Sequence, residues 1–486
     1  MCSCVLRDAR ARVHRGRAVR DAAQCAAQCA AMRASSSASS SAAAATDAAA
    51  DAAARARRGS GGGGGDARHG WDDGSRLAVA PGLDVTTVGF RAMARSLTSH
   101  ARLWTEMAHH DAVERYKSNT MMRCEGGRVT AQLGGSDPSG LARATAVLVD
   151  DYGYDEVNLN CGCPSDRVCG KADDDKTFGA ALMLDGGARA AECARRMAEA
   201  CDVGKQVTVK HRLGVRFDKT MTKSEDTDSY DYVVDFVESV REAAGVEHFI
   251  VHARSAVLGG LNPCANRRVP PLRYNEVYAL CDEFPKCGFT LNGGVTSLEQ
   301  ARELLDRNDG ALRGVMMGRA FYKHTCLLAD IDRIIFDDDG GGAPRPTRAD
   351  VVKKFGEFCD GALAAMPPMD HKERKKHCRR YFKVVDGLTF GTRTGGKIFR
   401  RAGDEMFDTY FGPDDDEPFS KRLWDCTQAV VDAETWNEEL KNINPDGENT
   451  YKTSAKRRGS HSDSDSDSDD GDGVDGITDA VRNTTL

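Results

Sequence analysis

From residue 77 to residue 317 the chain alternates short apolar runs with helix-patterned stretches, and it does so eight times. The runs cover 77–80, 103–107, 129–133, 157–160, 207–210, 249–252, 289–291 and 315–317, and each ends in Gly or a polar cluster. Parallel neighbours need a crossover between them, so a run followed by a helix reads as one βα unit. Eight such units in one stretch of this length predict a closed (β/α)₈ TIM barrel. A doubly wound sheet would use five or six strands and open on a Gly-rich dinucleotide turn, and no G-x-G-x-x-G sits at a strand-to-helix turn here. The block Gly61-Gly62-Gly63-Gly64-Gly65 follows no strand and reads as linker.

The rest of the 486 residues divides by composition. Residues 1–75 hold Ala/Ser tracts and early arginines; this suits an organellar transit peptide, although Asp8, Asp21, Asp47 and Asp51 do not, and a plain disordered extension reads equally well. The barrel is assigned 76–338. A Gly/Pro-rich hinge then leads to a helical domain at 346–440, opening on Thr347 with Asp350 three residues on, a capping-box pattern. Residues 441–486 contain a Ser/Asp repeat, Ser462 to Asp470, whose charge density predicts disorder. That tail holds six basic and ten acidic residues and so contributes −4 of the formal net charge of −7. By contrast, residues 371–401 carry eleven basic and two acidic residues, which predicts a surface for a polyanion. Whole-chain charge therefore does not argue against a nucleic-acid partner. No run approaches the ~18 apolar residues of a membrane span. The 17 scattered cysteines form no secreted disulfide framework, which fits an intracellular protein, cytoplasmic or organellar (plastid or mitochondrial).

Active-site groups of a barrel sit at the C-terminal ends of its strands. Here those ends read Gln132-Leu133-Gly134-Gly135, Asn158-Leu159-Asn160-Cys161-Gly162-Cys163-Pro164, Lys210-His211-Arg212, His252-Ala253-Arg254, Asn292-Gly293-Gly294 and Gly318-Arg319. The last two follow strands seven and eight, where small residues expose backbone N–H groups to a phosphate and Arg319 adds a charged fork. A phosphate-bearing cofactor there leaves Gln132, Lys210 and His252 around its other end, and a lysine beside an electron-accepting ring suits a flavin. Cys163, between Gly162 and Pro164, is placed to donate a proton or act as a nucleophile. Cys161, Cys163 and Cys169 are spaced C-x-C-x₅-C, which matches no zinc pair, and no His follows at ligand spacing; no metal is expected.

These strand ends, with Leu133-Gly134-Gly135-Ser136-Asp137-Pro138, Gly162-Cys163-Pro164-Ser165-Asp166-Arg167-Val168 and Val207-Thr208-Val209-Lys210-His211-Arg212, resemble the flavin-dependent tRNA-dihydrouridine synthases, most closely the bacterial A-type branch. The resemblance runs from about residue 77 to 401. It implies an FMN at the barrel mouth, NADPH as reductant, and a tRNA uridine reduced at C5–C6, in the D loop around position 20. Cys163 falls on the family's proton donor to C5. FMN contacts would fall on Pro81, Gln132, Lys210, His252, Asn292, Gly293, Gly294, Gly318 and Arg319, and tRNA contacts on Asn160, Arg267, Lys397 and Arg400. A nicotinamide dinucleotide and tRNA are the expected partners, with no membrane and no stable protein partner. The sequence departs from the family at Gly82, where a Met is usual and whose loss is expected to loosen packing near the flavin, and in longer segments at 169–177 and 216–225. The nearest alternative is an FMN barrel acting on a small free pyrimidine, resembling dihydroorotate dehydrogenase; it shares the phosphate turns but has no use for a basic helical appendage. A noncatalytic RNA-binding barrel is the other.

Overall fold

The computed structural model describes residues 75–115, 127–170, 177–201, 204–217, 227–392, 395–413 and 415–440. The N-terminal extension before Ser75, the Ser/Asp tail, and most of the two longer segments expected at 169–177 and 216–225 lie outside the described residues. In chain order the strands are β1 (Leu77–Val79), β2 (Leu103–His109), β3 (Val129–Gly134), β4 (Glu156–Cys161), β5 (Gln206–Arg212), β6 (Val215–Phe217), β7 (His248–His252), β8 (Ala256–Leu258), β9 (Gly288–Asn292) and β10 (Gly314–Met317). Eight of them form one parallel sheet in the order β1-β10-β9-β7-β5-β4-β3-β2. Its two edges meet through a parallel bridge between Ala78 and Arg102. The Val79 N–H donates to Arg102 O at 2.9 Å and the Arg102 N–H to Leu77 O at 3.0 Å. The sheet is therefore a closed barrel, with the eight strands where the apolar runs place them. The two strands not anticipated, β6 and β8, have three residues each and pair only with one another, extending the chain beyond β5 and β7. Runs that short carry no period to read.

Alternation along each strand sorts the side chains. Leu77, Val79, Leu103, Ala131, Leu133, Val157, Leu159, Val207 and Val209 belong to the main apolar core shared with the surrounding helices. The opposite set points into the barrel. Its apolar members, Ala78, Ala80, Trp104, Ile250 and Met316, form a separate small cluster. The others are polar and buried: Thr130, Gln132, Glu156, Asn158, Thr208 and Thr290. An interior this polar must satisfy its own hydrogen bonds.

Helix starts are set locally. Asp137 accepts from the Ser139 and Gly140 N–H groups, with Pro138 at the first position of the helix Pro138–Asp150. After the barrel, the helix Arg348–Ala364 begins with the reciprocal box expected at Thr347 and Asp350: the Asp350 N–H donates to Thr347 Oγ1 at 3.1 Å and the Thr347 N–H to Asp350 Oδ2 at 2.9 Å. The helices His371–Val385, Gly395–Tyr410 and Phe419–Val430 follow. Phe382 and Phe399 stack between the first two of these, with ring centroids 4.5 Å apart. This helical region seats on the barrel helix Val88–Arg95 at Gly89, where a Cβ would lie 2.9 Å from the Tyr381 ring; only glycine admits that approach.

Candidate active site

Seven strands bring residues at or just past their C-terminal ends to one mouth. Register places Gln132 beside Asn158, Asn160 beside Lys210, Arg212 beside His252, and His252 beside Asn292. Pro81 follows β1, with Ala80 hydrogen-bonded to Met317 (2.7 Å) just before Gly318 and Arg319. Ten of the residues anticipated for cofactor and catalysis thus converge on one rim. His211, which follows Lys210 in the sequence, does not join them: it points the other way, fully buried against Phe236 and Phe249.

Cys163 lies on the loop leaving β4, and that loop is held from several sides. Asn160 Oδ1 accepts both the Gly162 and the Cys163 N–H at 3.0 Å. The Cys163 carbonyl accepts the Ala180 N–H at 2.9 Å and the Cys169 thiol at 3.1 Å. Arg212 Nε donates to Gly162 O at 2.8 Å, and its Nη1 reaches Ser255 O at 2.9 Å and Asn266 O at 3.2 Å. Gly179 closes the loop at φ +65°, where a Cβ would strike the Cys163 carbonyl oxygen at 2.7 Å. Burial pushes the Cys163 thiol up, and the Ser165 N–H together with Arg212, Lys210 and Arg267 offset this only in part. At neutral pH the side chain is accordingly a thiol that can give a proton.

The other charged groups are nearly all cations. Burial, reinforced by Arg212 and opposed by Cys163, lowers Lys210 to about 7. Burial lowers Arg212 to about 10, with Arg267 and Arg254 adding to the effect. Burial together with Arg212, Lys210, Arg254 and Arg319 holds His252 well below the ordinary imidazole range, so its ring is neutral. Lys210 forms no ion pair with a carboxylate among the described residues. Holding positive charge on a buried lysine is costly, and an anion bound beside Lys210 would offset that cost.

Beside His252 the chain turns on two glycines. Gly293 has φ +116°, and a Cβ there would lie 2.7 Å from the His252 ring; Gly294 follows at φ +74°. Tyr274 donates its hydroxyl to Gly293 O, and Asn292 Nδ2 donates to Met316 O at 2.9 Å. The turn therefore keeps its shape without side chains in the way. At Gly82 the small residue sits against Tyr322. Tyr322 donates its hydroxyl to Ala80 O, and the Tyr322 hydroxyl oxygen would lie 3.1 Å from a Cβ on Gly82.

Arg267 sits in a loop organised by Asn266, whose side chain accepts the Val257 N–H (2.7 Å) and donates to Val257 O (2.9 Å) and Leu261 O (2.8 Å). That loop brings Arg267 within electrostatic reach of Cys163 and Tyr322. Lys397 and Arg400 do not join the mouth. Both are exposed on the helix Gly395–Tyr410, and Arg400 pairs with Asp386 at 2.7 Å.

The basic helical segment is less free than its composition implies. Arg374 pairs with Asp415 at 3.0 Å, Lys375 with Asp408 at 3.4 Å, and Arg379 with Asp404 at 3.1 Å. These acids lie just beyond the 371–401 window. What remains is a stripe: Lys372, Lys376, Arg380 and Lys383 are exposed at helical spacing on His371–Val385 and make no ion pair among the described residues. Arg380 also acts on Glu106, a buried residue of β2. Sequence reasoning missed Arg212, Asn158 and Tyr322 as site residues. The inward alternation Lys210-x-Arg212 and Asn158-x-Asn160 was the available signal for the first two.

A family model described as Dihydrouridine synthase (Dus) matches residues 78–409. Among curated proteins, the chain is 40% identical over 313 residues to the "tRNA-dihydrouridine(20/20a) synthase" of Vibrio parahaemolyticus, covering 64% of this chain and 88% of that one. It is 40% identical over 337 residues to the protein of the same name from Synechocystis sp. (68% and 92%). With the Salmonella typhimurium protein of that name it shares 41% over 333 residues (68% and 92%).

Proposed function

The chain belongs to the dihydrouridine synthase family, and on that premise we propose that it reduces the C5–C6 double bond of tRNA uridines in the D loop, at positions 20 and 20a, using FMN and NADPH. The observation that carries this reading is the convergence on one rim of Cys163, kept as a thiol by burial, with Lys210, Arg212, His252 and the glycine turn Asn292-Gly293-Gly294.

The residues present fit FMN. The turn Asn292-Gly293-Gly294, with Gly318 and Arg319, would offer backbone N–H groups and a guanidinium to a phosphate. Pro81, Gln132, Lys210 and His252 line the other end, where Lys210 would hold positive charge beside the ring. When bound, FMN supplies the hydride to C6, having received it from NADPH. The protein supplies the rest. Cys163 gives its proton to C5 and is left as a thiolate, which Arg212, Lys210 and Arg267 stabilise. Asn160 and Arg267 would contact the flipped base. A uridine reaching this mouth must leave its stack, and backbone contacts elsewhere offset that cost. The stripe Lys372, Lys376, Arg380 and Lys383, with Lys397, supplies them. A barrel serving a free pyrimidine would have no use for that stripe.

The test is reduction of a tRNA transcript by the FMN-loaded protein with NADPH, read by mass spectrometry of dihydrouridine, beside free uridine at the same concentration. Conversion of tRNA with little conversion of uridine is expected; comparable rates on both would overturn the tRNA assignment.

A further inference from the structure

We infer that a one-directional chain of hydrogen bonds through the barrel interior, anchored at Glu156, positions the Cys163 loop, and that Glu156, Thr208 and Asn158 are positioning residues for the reaction. The proposal rests on the reading of Cys163 given above.

The chain can be followed atom by atom. At the far end from the mouth, Glu156 is 1% exposed, and Arg102 Nη1 lies 3.1 Å from its Oε2, which also accepts Gln206 Nε2 at 3.0 Å. Its Oε1 accepts the Thr208 hydroxyl at 3.0 Å. Thr208 Oγ1 accepts Asn158 Nδ2 at 2.9 Å, and Asn158 Oδ1 accepts Gln132 Nε2 at 2.9 Å. Gln132 Oε1 then accepts Asn160 Nδ2 at 3.0 Å. Asn160 Oδ1 ends the chain by taking the Gly162 and Cys163 N–H groups, both at 3.0 Å.

Every amide in this series has two possible orientations, and the two ends choose between them independently. At the mouth, backbone N–H groups can only donate, so Asn160 must turn its oxygen to the loop and its NH₂ to Gln132. At the other end, Arg102 and Gln206 can only donate to the Glu156 carboxylate, which leaves it an acceptor for Thr208. Both requirements give the same direction along all four intervening links. Asn158 and Thr208 are fully buried, so no water stands ready to repair a reversed link.

Glu156→Gln separates this role from simple packing. The volume is kept, but the new amide must turn its oxygen to Arg102 and Gln206, so its NH₂ faces Thr208. Thr208 then becomes an acceptor there, so its proton either loses its only acceptor or turns to Asn158, and that reversal meets the fixed backbone N–H groups of Gly162 and Cys163. Thr208→Val only deletes a link; Thr208→Ser keeps it.

The experiment uses the FMN-loaded full-length chain. Hydrogen exchange at the Gly162 and Cys163 amides is measured in wild type, Glu156→Gln, Thr208→Val and Thr208→Ser, with kcat and KM for tRNA. Faster exchange and an about tenfold or greater fall in kcat, measured at saturating FMN and tRNA, are expected in Glu156→Gln. Thr208→Val should show a smaller loss, and Thr208→Ser should match wild type. Unchanged exchange in both Glu156→Gln and Thr208→Val overturns the chain as a positioning device. Faster exchange with unchanged kcat overturns its connection to the reaction. Neither result bears on whether Cys163 is the acid, which its own substitution tests. If Glu156→Gln fails to fold, the Val/Ser pair at Thr208 decides alone.

Discussion

At the scale of single residues, burial sets the protonation of the groups at the mouth. Cys163 is kept as a thiol by burial, so alkylation by iodoacetamide should be slow at pH 7.5 and accelerate only above the ordinary thiol range. Fast, pH-independent alkylation near neutrality would contradict this. Lys210 gives a sharper pH signature. Lowered to about 7, against ~10.4 in an unfolded chain, it is largely neutral at pH 8 in the cofactor-free protein. An anion bound beside it favours the cation, so FMN binding at pH 8 should take up close to one proton. Calorimetry in buffers of different ionisation enthalpy measures that uptake. In Lys210→Arg, which is charged throughout, the uptake should vanish. The same lowered value makes stability of the cofactor-free protein rise with pH between about 7 and ~10.4 on account of this group, because there the unfolded chain holds the proton and the folded one does not.

Among elements, the helices after the barrel carry two separable functions. The reciprocal cap at Thr347 and Asp350 fixes the start of Arg348–Ala364, and Thr347→Ala should cost about 1 kcal/mol in denaturant unfolding without altering tRNA affinity. On His371–Val385 the two faces should respond oppositely. Changing Lys372, Lys376, Arg380 and Lys383 to Glu should weaken tRNA binding and flatten its salt dependence, since fewer counterions are released. Changing Arg374 to Met should instead destabilise the fold, because the Asp415 carboxylate, almost wholly buried, loses one of its two arginine partners and keeps only Arg422 among the described residues. Filter binding at several salt concentrations, with thermal melts alongside, distinguishes the two. This division was only partly legible beforehand. The excess of basic residues was plain, but which of them were spoken for depended on Asp404, Asp408 and Asp415, brought near by the turn between helices.

For the whole molecule, the eight βα units were readable because each strand is a run of apolar residues ended by a polar or glycine cluster. The rim was readable because barrels place chemistry at those ends, which is how Cys163, Lys210 and His252 could be named. The interior was not. Glu156 and Thr208 lie at the start and middle of their strands, where a sequence pattern offers no reason to expect function, and the meaning of Asn158 depends on pairing with Thr208 across a sheet. Arg212 was in view but unassigned, because its work is to bind carbonyls of loops remote in sequence. The central claim, that this barrel reduces uridine in tRNA with Cys163 as the acid, is tested most directly by single-turnover reduction of tRNA by the pre-reduced, FMN-loaded protein, comparing wild type with Cys163→Ala. The account predicts dihydrouridine at D-loop positions 20 and 20a in wild type, and a rate lower by about 10²-fold or more in the variant with FMN still bound. Absence of dihydrouridine in wild type, or its formation by Cys163→Ala at the wild-type rate, would contradict it.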